Sequence, residues 1–505
     1  MKRTYALLLA CVMVLCLFTG CGAENENVGE NTSDAKRDDV IIYCEGTWTD
    51  MDPHGTGADT MVDAYVMNQV YEPLARCDDS GDMIPVLAKD WEISEDGLTY
   101  TFTLQDGVKF HNGDPMTVQD VKFSFDRVIN ESTSLKTYNF AMDSCEIVDD
   151  SHFAVHLKYP FAPFPTYLVW FPVVSEKFTQ EHDLRTEMCG TGPYSLESID
   201  FNTEAHLEAF PDYWQGEASI KNVTFKVITE ATTATVSFEA GELDVLNVMN
   251  VSAFAPLEAS GKYNTMLSAQ KHTALILLNN TVAPLDNKLV RQALSYATDR
   301  ETMIAIAYEG LAQPTYLMAN TSCFGVTEKN FQNPYPYDLE KAKELLAEAG
   351  YPDGLDLGVM TVLGGTYHEK YAQVWQQSLA QIGVKIELVN SESCVADTTE
   401  HRYVTATMGE PFSADFSYTN RYYTGDNKCA YQNDRVDELF ELAAAESDSA
   451  KRLEYYDEVI SIVKDEAPCI PIFNKQAPWA WDKNLNATFH CDGVHPYYVY
   501  EMSWN

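Results

Sequence analysis

The stretch PVLAKDWEISEDGLTYTFTLQDGVKFHNGDPMTVQDVKFSFDR, residues 85–127, combines a strand pattern with a helix pattern. In its first half, apolar Leu98, Tyr100, Phe102 and Leu104 alternate with threonines, which is the period of a strand with one buried face. Glycine and proline residues then supply turns on both sides of a short predicted strand, 108–111. This half therefore predicts strands joined by tight turns.

The second half of the stretch predicts an amphipathic helix. Thr117 is suited to the N-cap, because its side-chain oxygen can accept a hydrogen bond from the first turn, and Asp120 is favourable within that turn. Val121, Phe125 and Val128 follow at helical spacing and fall on one face. A strand-rich unit with a packed helix is the expected result.

The N-terminus is typical of an exported protein. Lys2 and Arg3 precede an apolar run that ends near Phe18, shorter than the about 20 residues of a membrane span. The run leads into Thr19-Gly20-Cys21, which resembles the cleavage site of bacterial lipoproteins, although an ordinary signal peptide with an incidental cysteine would look similar. We predict a signal peptide at 1–20, lipidation of Cys21 and a flexible polar tether at 21–37. No later segment is long and apolar enough to span a membrane, so the lipid would be the only anchor.

Composition limits the function classes. A chain of 505 residues is too long for one hydrophobic core, so two or three domains are expected. A formal net charge of −42 argues against nucleic acid binding, which needs clustered Lys and Arg. It does not imply a cationic ligand, because an acidic surface more often serves solubility. The cysteines show no metal-binding spacing, and their number fits either disulfides or buried free thiols.

The second half of the chain alternates helices and strands. Residues 338–349 form a predicted helix with Asp338 as N-cap and Gly350 at its C-terminus. A strand at 355–362, a helix at 371–382 and a strand at 384–388 follow. This alternation predicts an α/β unit.

Eight segments resemble, in the same order, the family 5 extracellular solute-binding proteins, the peptide- and nickel-binding receptors of ABC importers. They are VYEPL (70–74), PVLAKDWEISEDGLTYTFTL (85–104), GVKFHNGDPMTVQDVKFSFDR (107–127), GTGPY (190–194), VRQALSYATDR (290–300), YDLEKAKELLAEAGYPDG (337–354), WQQSLAQIGVKIEL (375–388) and EAPCIPIF (466–473). Each segment alone is a weak signal, but the ordered set covers nearly all of the mature chain.

The resemblance implies an α/β, two-lobed fold of the periplasmic-binding-protein type (class II, cluster C), with an extra α+β domain inserted in the first lobe. The expected bounds are 38–72, 190–272 and 480–505 for lobe I, 73–189 for the extra domain, and 273–479 for lobe II. The expected hinges lie where the chain crosses, near 189–192, 272–275 and 479. Gly190 and Gly192 suit a hinge because glycine tolerates large changes of φ and ψ.

Loops at strand ends are expected to line the cleft between the lobes. Glu45, Thr47 and Trp48 directly follow the first predicted strand and are candidate ligand contacts, although Trp48 is also compatible with ordinary packing. In peptide-binding relatives, a carboxylate grips the amino terminus of the peptide. Within the corresponding segment, 408–423, Asp415 matches that acid best and Glu410 is a second candidate, but the accompanying Trp of the family pattern is missing.

The group that would hold a ligand carboxylate is harder to assign. Dipeptide-binding relatives place an arginine in the loop that corresponds to 363–368, where this chain has none. Arg421 could substitute for it. Tyr367, Phe412 and Tyr418 could form stacking walls, or could equally belong to the core.

No catalytic motif is present: Gly-x-Ser-x-Gly, His-Glu-x-x-His and the P-loop are all missing, so an enzyme is not expected. We predict no catalytic residue, no cofactor and no metal site, because the cluster His490, Cys491, Asp492 and His495 has no standard ligand spacing.

The predicted function is that of an extracytoplasmic substrate-binding lipoprotein of an ABC importer. It would be a monomer on the outer face of the plasma membrane or in the periplasm, serving a permease with its ATPase subunits. A peptide is the leading ligand class. A nickel or metal-chelate receptor of the same family, and a sensing or adhesion lipoprotein, are the alternatives.

Overall fold

The strand predicted in the first half of 85–127 is confirmed. β structure at Thr99–Leu104 buries Tyr100, Phe102 and Leu104, while the intervening threonines are partly exposed. The short strand predicted at 108–111 is wrong, because only Lys109 pairs there, in an isolated bridge to Pro115. The turn residues on both sides leave too little extended chain for a ladder.

The helix predicted in the second half is also confirmed, at Val118–Asn130. Thr117 is its N-cap and exchanges hydrogen bonds with Asp120 in a capping box. Val121, Phe125 and Val128 are fully buried against the neighbouring strands.

The structure is a computed structural model that describes residues 37–56, 61–79, 81–132, 134–319, 322–364, 366–411, 414–490 and 496–505. The predicted signal peptide, Cys21 and almost all of the tether lie outside these residues. Residues 38–505 form one compact unit. None of the helices described is long and apolar enough to cross a bilayer.

The strands are β1 Asp39–Cys44, β2 Ala75–Cys77, β3 Met83–Pro85, β4 Ala88–Ile93, β5 Thr99–Leu104, β6 Met142–Ile147, β7 His152–Leu157, β8 Tyr194–Asp200, β9 Glu204–Ala209, β10 Asn222–Val227, β11 Val245–Asn247, β12 Tyr263–Leu278, β13 Ala312–Pro314, β14 Leu355–Leu363, β15 Val384–Ser391, β16 Thr405–Pro411, β17 Cys469–Asp482, β18 Leu485–Asn486 and β19 Ser503–Trp504.

The α-helices are Met61–Val70, Val118–Asn130, Lys136–Asn139, Glu176–Glu181, Ala231–Glu239, Phe254–Ser260, Lys288–Tyr296, Arg300–Tyr308, Leu339–Glu348, Thr366–Ala380, Cys394–Thr399, Asn420–Tyr423, Asp434–Ala445 and Ser449–Glu466. Short 3₁₀ helices span Phe164–Trp170, Val251–Ala253, Glu328–Phe331, Phe416–Thr419 and Val499–Glu501.

Two long strands, β12 and β17, run through the main sheet and belong to both lobes. The order of that sheet is β15-β14-β16-β12-β17-β11-β1-β10-β9-β8, with β13 paired to β17. Residues 273–277 of β12 pair with β17 on the lobe II side, and residues 263–269 pair with it on the lobe I side. A separate four-stranded sheet, β4-β5-β7-β6, forms the extra domain.

The register makes the carboxyl ends of strands in both lobes point toward the middle of these two long strands. In lobe II, β16 is antiparallel to β12 and ends with Pro411 opposite His272, while β14 runs parallel to β16. In lobe I, β11 is parallel to β1 and ends with Asn247 opposite Trp479 of β17. The strand-end loops of the two lobes therefore face a common region.

Separate hydrophobic cores accompany the sheets. One core draws on residues of lobe I from all three of its chain segments, one lies in the extra domain, and two cover lobe II. The molecule is thus a two-lobed α/β protein with an inserted α+β domain, whereas the predicted residue bounds of the three parts stay a prediction.

Candidate functional site

The candidate site lies where the pairing of β12 with β17 is interrupted. The register shifts between the pairs Ala269–Gln476 and Thr273–Asn474, so His272 and Lys475 lie at the break. This break is also the point toward which the strand ends of both lobes are directed. Ligands of open α/β sheets bind outside the carboxyl ends of strands, so the break is the expected ligand position.

On the lobe II side, three side chains gather around Gly409 of β16. A Cβ added to Gly409 would lie 2.5 Å from Oη of Tyr367, 2.7 Å from Cε1 of His272 and 3.2 Å from Nε2 of His368. The rings of Tyr367 and His368 are 3.9 Å apart, and Nζ of Lys475 lies 5.1 Å from the Tyr367 ring centroid. We call Tyr367, His368, His272 and Lys475 the lobe II cluster.

The lobe II cluster is basic and has no acidic partner among the described side chains. Burial lowers the pKa of Lys475 to about 8, and that residue forms no ion pair there. Burial, together with the charge of Lys475, lowers the pKa of His368 to about 4 and that of His272 well below its usual value. At neutral pH the cluster therefore combines one ammonium group with two neutral imidazoles.

Several polar atoms of the lobe II cluster have no hydrogen-bond partner among the residues described. They are Nδ1 and Nε2 of His368, which is only 4 % exposed, and Nδ1 of His272. Unsatisfied buried polar atoms are rare in native proteins and require an explanation. A ligand group that completes these hydrogen bonds is such an explanation.

On the lobe I side, Glu45 follows β1 directly. Its Oε1 accepts a hydrogen bond from Tyr65 at 3.3 Å, while its buried Oε2 has no partner in the described chain. Burial raises the pKa of this carboxyl group. Glu45 therefore presents an unpartnered carboxyl oxygen at a strand end, and a cationic ligand group would favour its charged form.

Two further aromatic side chains belong to the same buried core of lobe I as Tyr65. Trp48 is 3 % exposed, and its indole Nε1 has no hydrogen-bond partner in the described chain. Tyr497 stacks on Tyr65 with ring centroids 5.9 Å apart, and its hydroxyl is likewise unsatisfied. Thr47 is exposed beside them.

The acid predicted to grip an amino group, Asp415, lies in a different environment. Its carboxylate accepts hydrogen bonds from Arg452 at 2.5 Å and from Tyr456 at 2.8 Å, and it caps the 3₁₀ helix Phe416–Thr419. These partners favour a structural role. The predicted ligand contact of Asp415 stays a prediction.

The other predicted residues of this segment divide into two groups. Arg421 stacks over the Tyr418 ring at 4.5 Å, so both side chains interact with each other. Glu410 lies in β16 opposite Thr273, next to Gly409, but its side chain and the whole of Phe412 lie outside the described part. Of the residues predicted on lobe II, the structure brings only Tyr367 into the lobe II cluster among those it describes.

Gly190 and Gly192 do not lie on the two strands that join the lobes. Both pack against the C-terminal end of the helix Met61–Val70, and a Cβ on Gly190 would lie 2.0 Å from the carbonyl oxygen of Val70. Neither has a positive φ. Close backbone contact therefore accounts for these glycines, and their predicted hinge role stays untested.

Sequence reasoning missed three of the four members of the lobe II cluster. His368 lies beside the predicted Tyr367, but its His-Glu pair lacks the second histidine of a metalloprotease motif, so the sequence alone gives it no role. Lys475 carried a usable signal, because it is one charge within the otherwise uncharged segment 467–481. His272 has no local signal, since only the pairing of β12 with β16 brings it to Gly409.

Other charged clusters of the described chain already have internal partners. Arg291 pairs with Glu466 at 3.3 Å, and Lys464 donates to backbone carbonyls. His490 lies between Asp79, at 3.2 Å, and Glu501, at 2.8 Å, and hydrogen bonding to Glu501 raises its pKa. The described residues contain no group of three or more metal-capable side chains.

Two α/β lobes joined by long shared strands, with unsatisfied polar groups where their strand ends meet, define the class of hinged solute-binding proteins. Residues 82–429 match the family model described as bacterial extracellular solute-binding proteins, family 5, middle region. The chain belongs to this family.

Named relatives agree with this assignment. The glutathione-binding protein GsiB of Salmonella typhimurium is 30% identical over 472 residues, which cover 88% of this chain and 91% of the relative. HbpA2 from Haemophilus parasuis has a TM-score of 0.83 at 26% identity, covering 92% of this chain and 100% of that one. The ABC transporter substrate-binding protein CtaP of Listeria monocytogenes has the same TM-score and identity, covering 93% and 99%. These proteins are similar to this chain in sequence and in fold. The first is named as a binding protein and the third as a substrate-binding protein.

Proposed function

We propose that this protein is the extracytoplasmic receptor of an ABC importer, which captures a peptide-like solute between its two lobes and delivers it to a membrane permease. The observation that carries the ligand class is a pair of ionisable side chains without an ion-pair partner in the described structure, one acidic and one basic. Glu45 of lobe I and Lys475 of lobe II each lack an ion-pair partner among the described side chains. A zwitterion with separated amino and carboxylate groups complements both.

The fold explains how such a ligand would close the two lobes. A solute that contacts both lobes stabilises the closed arrangement, because the open one offers only half of these contacts. β12 and β17, with the register break at His272 and Lys475, are the natural axis for the motion. We propose for the two lobes the residue bounds predicted from the sequence. Capture and release of the solute would involve no covalent chemistry.

The anchoring of the protein follows from the N-terminal sequence. We propose cleavage before Cys21, lipidation of that thiol, and residues 21–37 as a tether that holds the receptor near its permease. The receptor would then work as a monomer on the outer surface of the membrane.

The relatives support a peptide-like ligand. The Salmonella relative is named for binding glutathione, and glutathione carries an amino group and carboxylates. A metal-chelate receptor is the second candidate, because the unpartnered nitrogens of His272 and His368 could contact a chelated metal. The ammonium group of Lys475 beside them favours the negatively charged ligand groups over a bare cation.

Native mass spectrometry of protein purified without denaturation tests this proposal. We expect bound masses of short peptides or peptide-like acids, lost on denaturation and restored on incubation with glutathione or a mixture of di- to pentapeptides. A nickel-containing adduct that excludes peptides would favour the second candidate. Failure to bind any peptide, together with an uncharged bound solute, would contradict the proposal.

A further inference from the structure

We infer that the lobe II cluster is a carboxylate-binding subsite, in which Lys475 supplies the charge and His368 and His272 supply neutral hydrogen-bond donors. This inference rests on the proposed function and makes it more specific. It assigns the ligand an obligatory anionic group and assigns that group to lobe II.

The first argument is the unpaired state of Lys475. Its side chain is partly buried, lies over the Tyr367 ring, and forms no hydrogen bond or ion pair to the described residues. Burying an ammonium group without a partner is costly, so a protein keeps one where a second molecule provides the counter-charge. An aromatic face alone compensates only a fraction of that cost.

The second argument is the state of the two histidines. Each neutral imidazole has one N–H donor, and the ring nitrogens of His368 are both buried without a partner in the described chain. Gly409 lets these rings approach the backbone, since a side chain there would collide with Tyr367 and His272. A carboxylate has two oxygens and can accept from Lys475 and from both rings.

The third argument is selectivity. Burial and, second to it, the charge of Lys475 keep both imidazoles neutral, and the same charge repels a metal cation. The titratable groups that face Lys475 in the described structure are His272, His368 and Tyr367, and none of them is an acid. The chemistry of the subsite is therefore that of an anion receptor.

The position of the lobe II cluster explains how this chain can lack, in the loop 363–368, the arginine with which dipeptide-binding relatives hold the ligand carboxylate. Lys475 reaches the same end of lobe II from β17, and His272 reaches it from β12. Both strands also continue into lobe I. Binding of the carboxylate would therefore act directly on the strands that join the lobes.

The test uses two peptide mixtures of two to five residues, one with free C-terminal carboxylates and one with C-terminal amides. Dissociation constants are measured by isothermal titration for the wild-type protein and for Lys475→Met, Lys475→Arg and Lys428→Met. Lys428 is the matched control, because it is also partly buried and lies over a lobe II tyrosine, Tyr422, at 5.6 Å.

We expect the wild-type protein to bind the free acids tighter than the amides by roughly tenfold to a hundredfold, the range for a charge-assisted hydrogen bond. Lys475→Met should remove this preference, Lys475→Arg should retain most of it, and Lys428→Met should leave it unchanged. Lys475→Met should also fold with an equal or higher Tm, because it removes an unpaired buried charge.

Equal wild-type affinity for acids and amides would overturn the subsite while leaving peptide capture intact. Nickel–histidine binding that is insensitive to Lys475→Met would also overturn it. No binding of either mixture would instead remove the proposed function, and the subsite with it. The comparison of acids with amides needs only the wild-type protein, so an unstable variant does not weaken the test.

Discussion

Asp415 and Arg452 form an ion pair inside lobe II, with Oδ2 of the carboxylate 2.5 Å from Nη2 of the guanidinium. Both side chains are buried, and Asp415 is only 2 % exposed. Tyr456 donates a further hydrogen bond to the same carboxylate at 2.8 Å, and Arg452 also lies over the Phe324 ring. An acid that resembles the amino-group ligand of relatives is thus engaged within its own lobe.

Substitution Asp415→Asn tests this arrangement. It leaves Arg452 buried without a counter-charge, so we expect a loss of about 3–5 kcal/mol in the free energy of unfolding. Arg452→Met in the same background should recover part of that loss, and a double-mutant cycle by urea unfolding measures the coupling. Wild-type stability combined with lost peptide binding would return Asp415 to the ligand site.

Local sequence pattern was sufficient to predict several helices and strands, although not for 108–111, where only an isolated bridge forms. The capping box at Thr117 and Asp120 and the buried face of β5 follow from sequence neighbours alone. The helix Leu339–Glu348, with Asp338 as its cap, was predicted for the same reason. These features depend on residues within one or two turns of each other.

The candidate site depends on pairing between distant segments, which a single sequence does not reveal. His272 meets Gly409 only through the register of β12 with β16, and Lys475 joins them through β17. The first strand end could be predicted, because Glu45 and Trp48 directly follow β1. The sequence does not reveal the ion-pair partner of Asp415, because Arg452 is far away in the sequence.

Gly190→Ala tests whether close packing or flexibility explains Gly190. A Cβ would lie 2.0 Å from the Val70 carbonyl oxygen, so we expect a clear loss of stability, on the order of 1–3 kcal/mol or more, as found for overpacking. Gly364→Ala is the control, because nothing lies within 4 Å of its Cβ position and its φ is not positive. Unchanged Tm with altered ligand release in Gly190→Ala would instead support a hinge.

Acid should destabilise the protein through histidines that are buried in the neutral form, and His111 is a testable example. Its Nε2 lies 2.9 Å from the carbonyl oxygen of Gly192, its Nδ1 accepts from the N–H of Gly190, and burial lowers its pKa to about 4. The unfolded chain, with a pKa near 6.5, binds more protons between these values, so stability rises with pH in this window and falls as pH drops.

From pH 7.5 to pH 5, His111 alone should account for about 2 kcal/mol of lost stability. Glu72 acts in the opposite direction over most of this range, because burial raises its pKa to about 7 and its stabilising effect declines as pH rises. Urea unfolding at both pH values should therefore show that His111→Gln loses about 2 kcal/mol less stability than the wild type between pH 7.5 and pH 5. Identical pH slopes for the two proteins would contradict the assignment.

The described cysteines should be unreactive in the folded protein. All eight are buried thiols: Cys44, Cys77, Cys145, Cys189, Cys323, Cys394, Cys429 and Cys469. Burial raises the pKa of Cys44 and Cys145 to about 12 and that of Cys394 to about 11, which suppresses the nucleophilic thiolate. Iodoacetamide labelling with peptide mapping should modify these positions in denaturant but not in buffer. Rapid native labelling, or a disulfide linking any two of them, would refute this.

Glu45→Gln tests the lobe I end of the site. Removing a buried carboxylate whose Oε2 has no partner should leave Tm unchanged or raise it, because the desolvation cost disappears with the charge. Binding should weaken by roughly tenfold to a hundredfold for peptides with a free amino group, and much less for N-acetylated peptides. Glu197→Gln, an exposed site on lobe I, makes the same change of charge and should have no effect. Equal losses for free and acetylated peptides would mean that Glu45 shapes the loop instead of contacting the amino group.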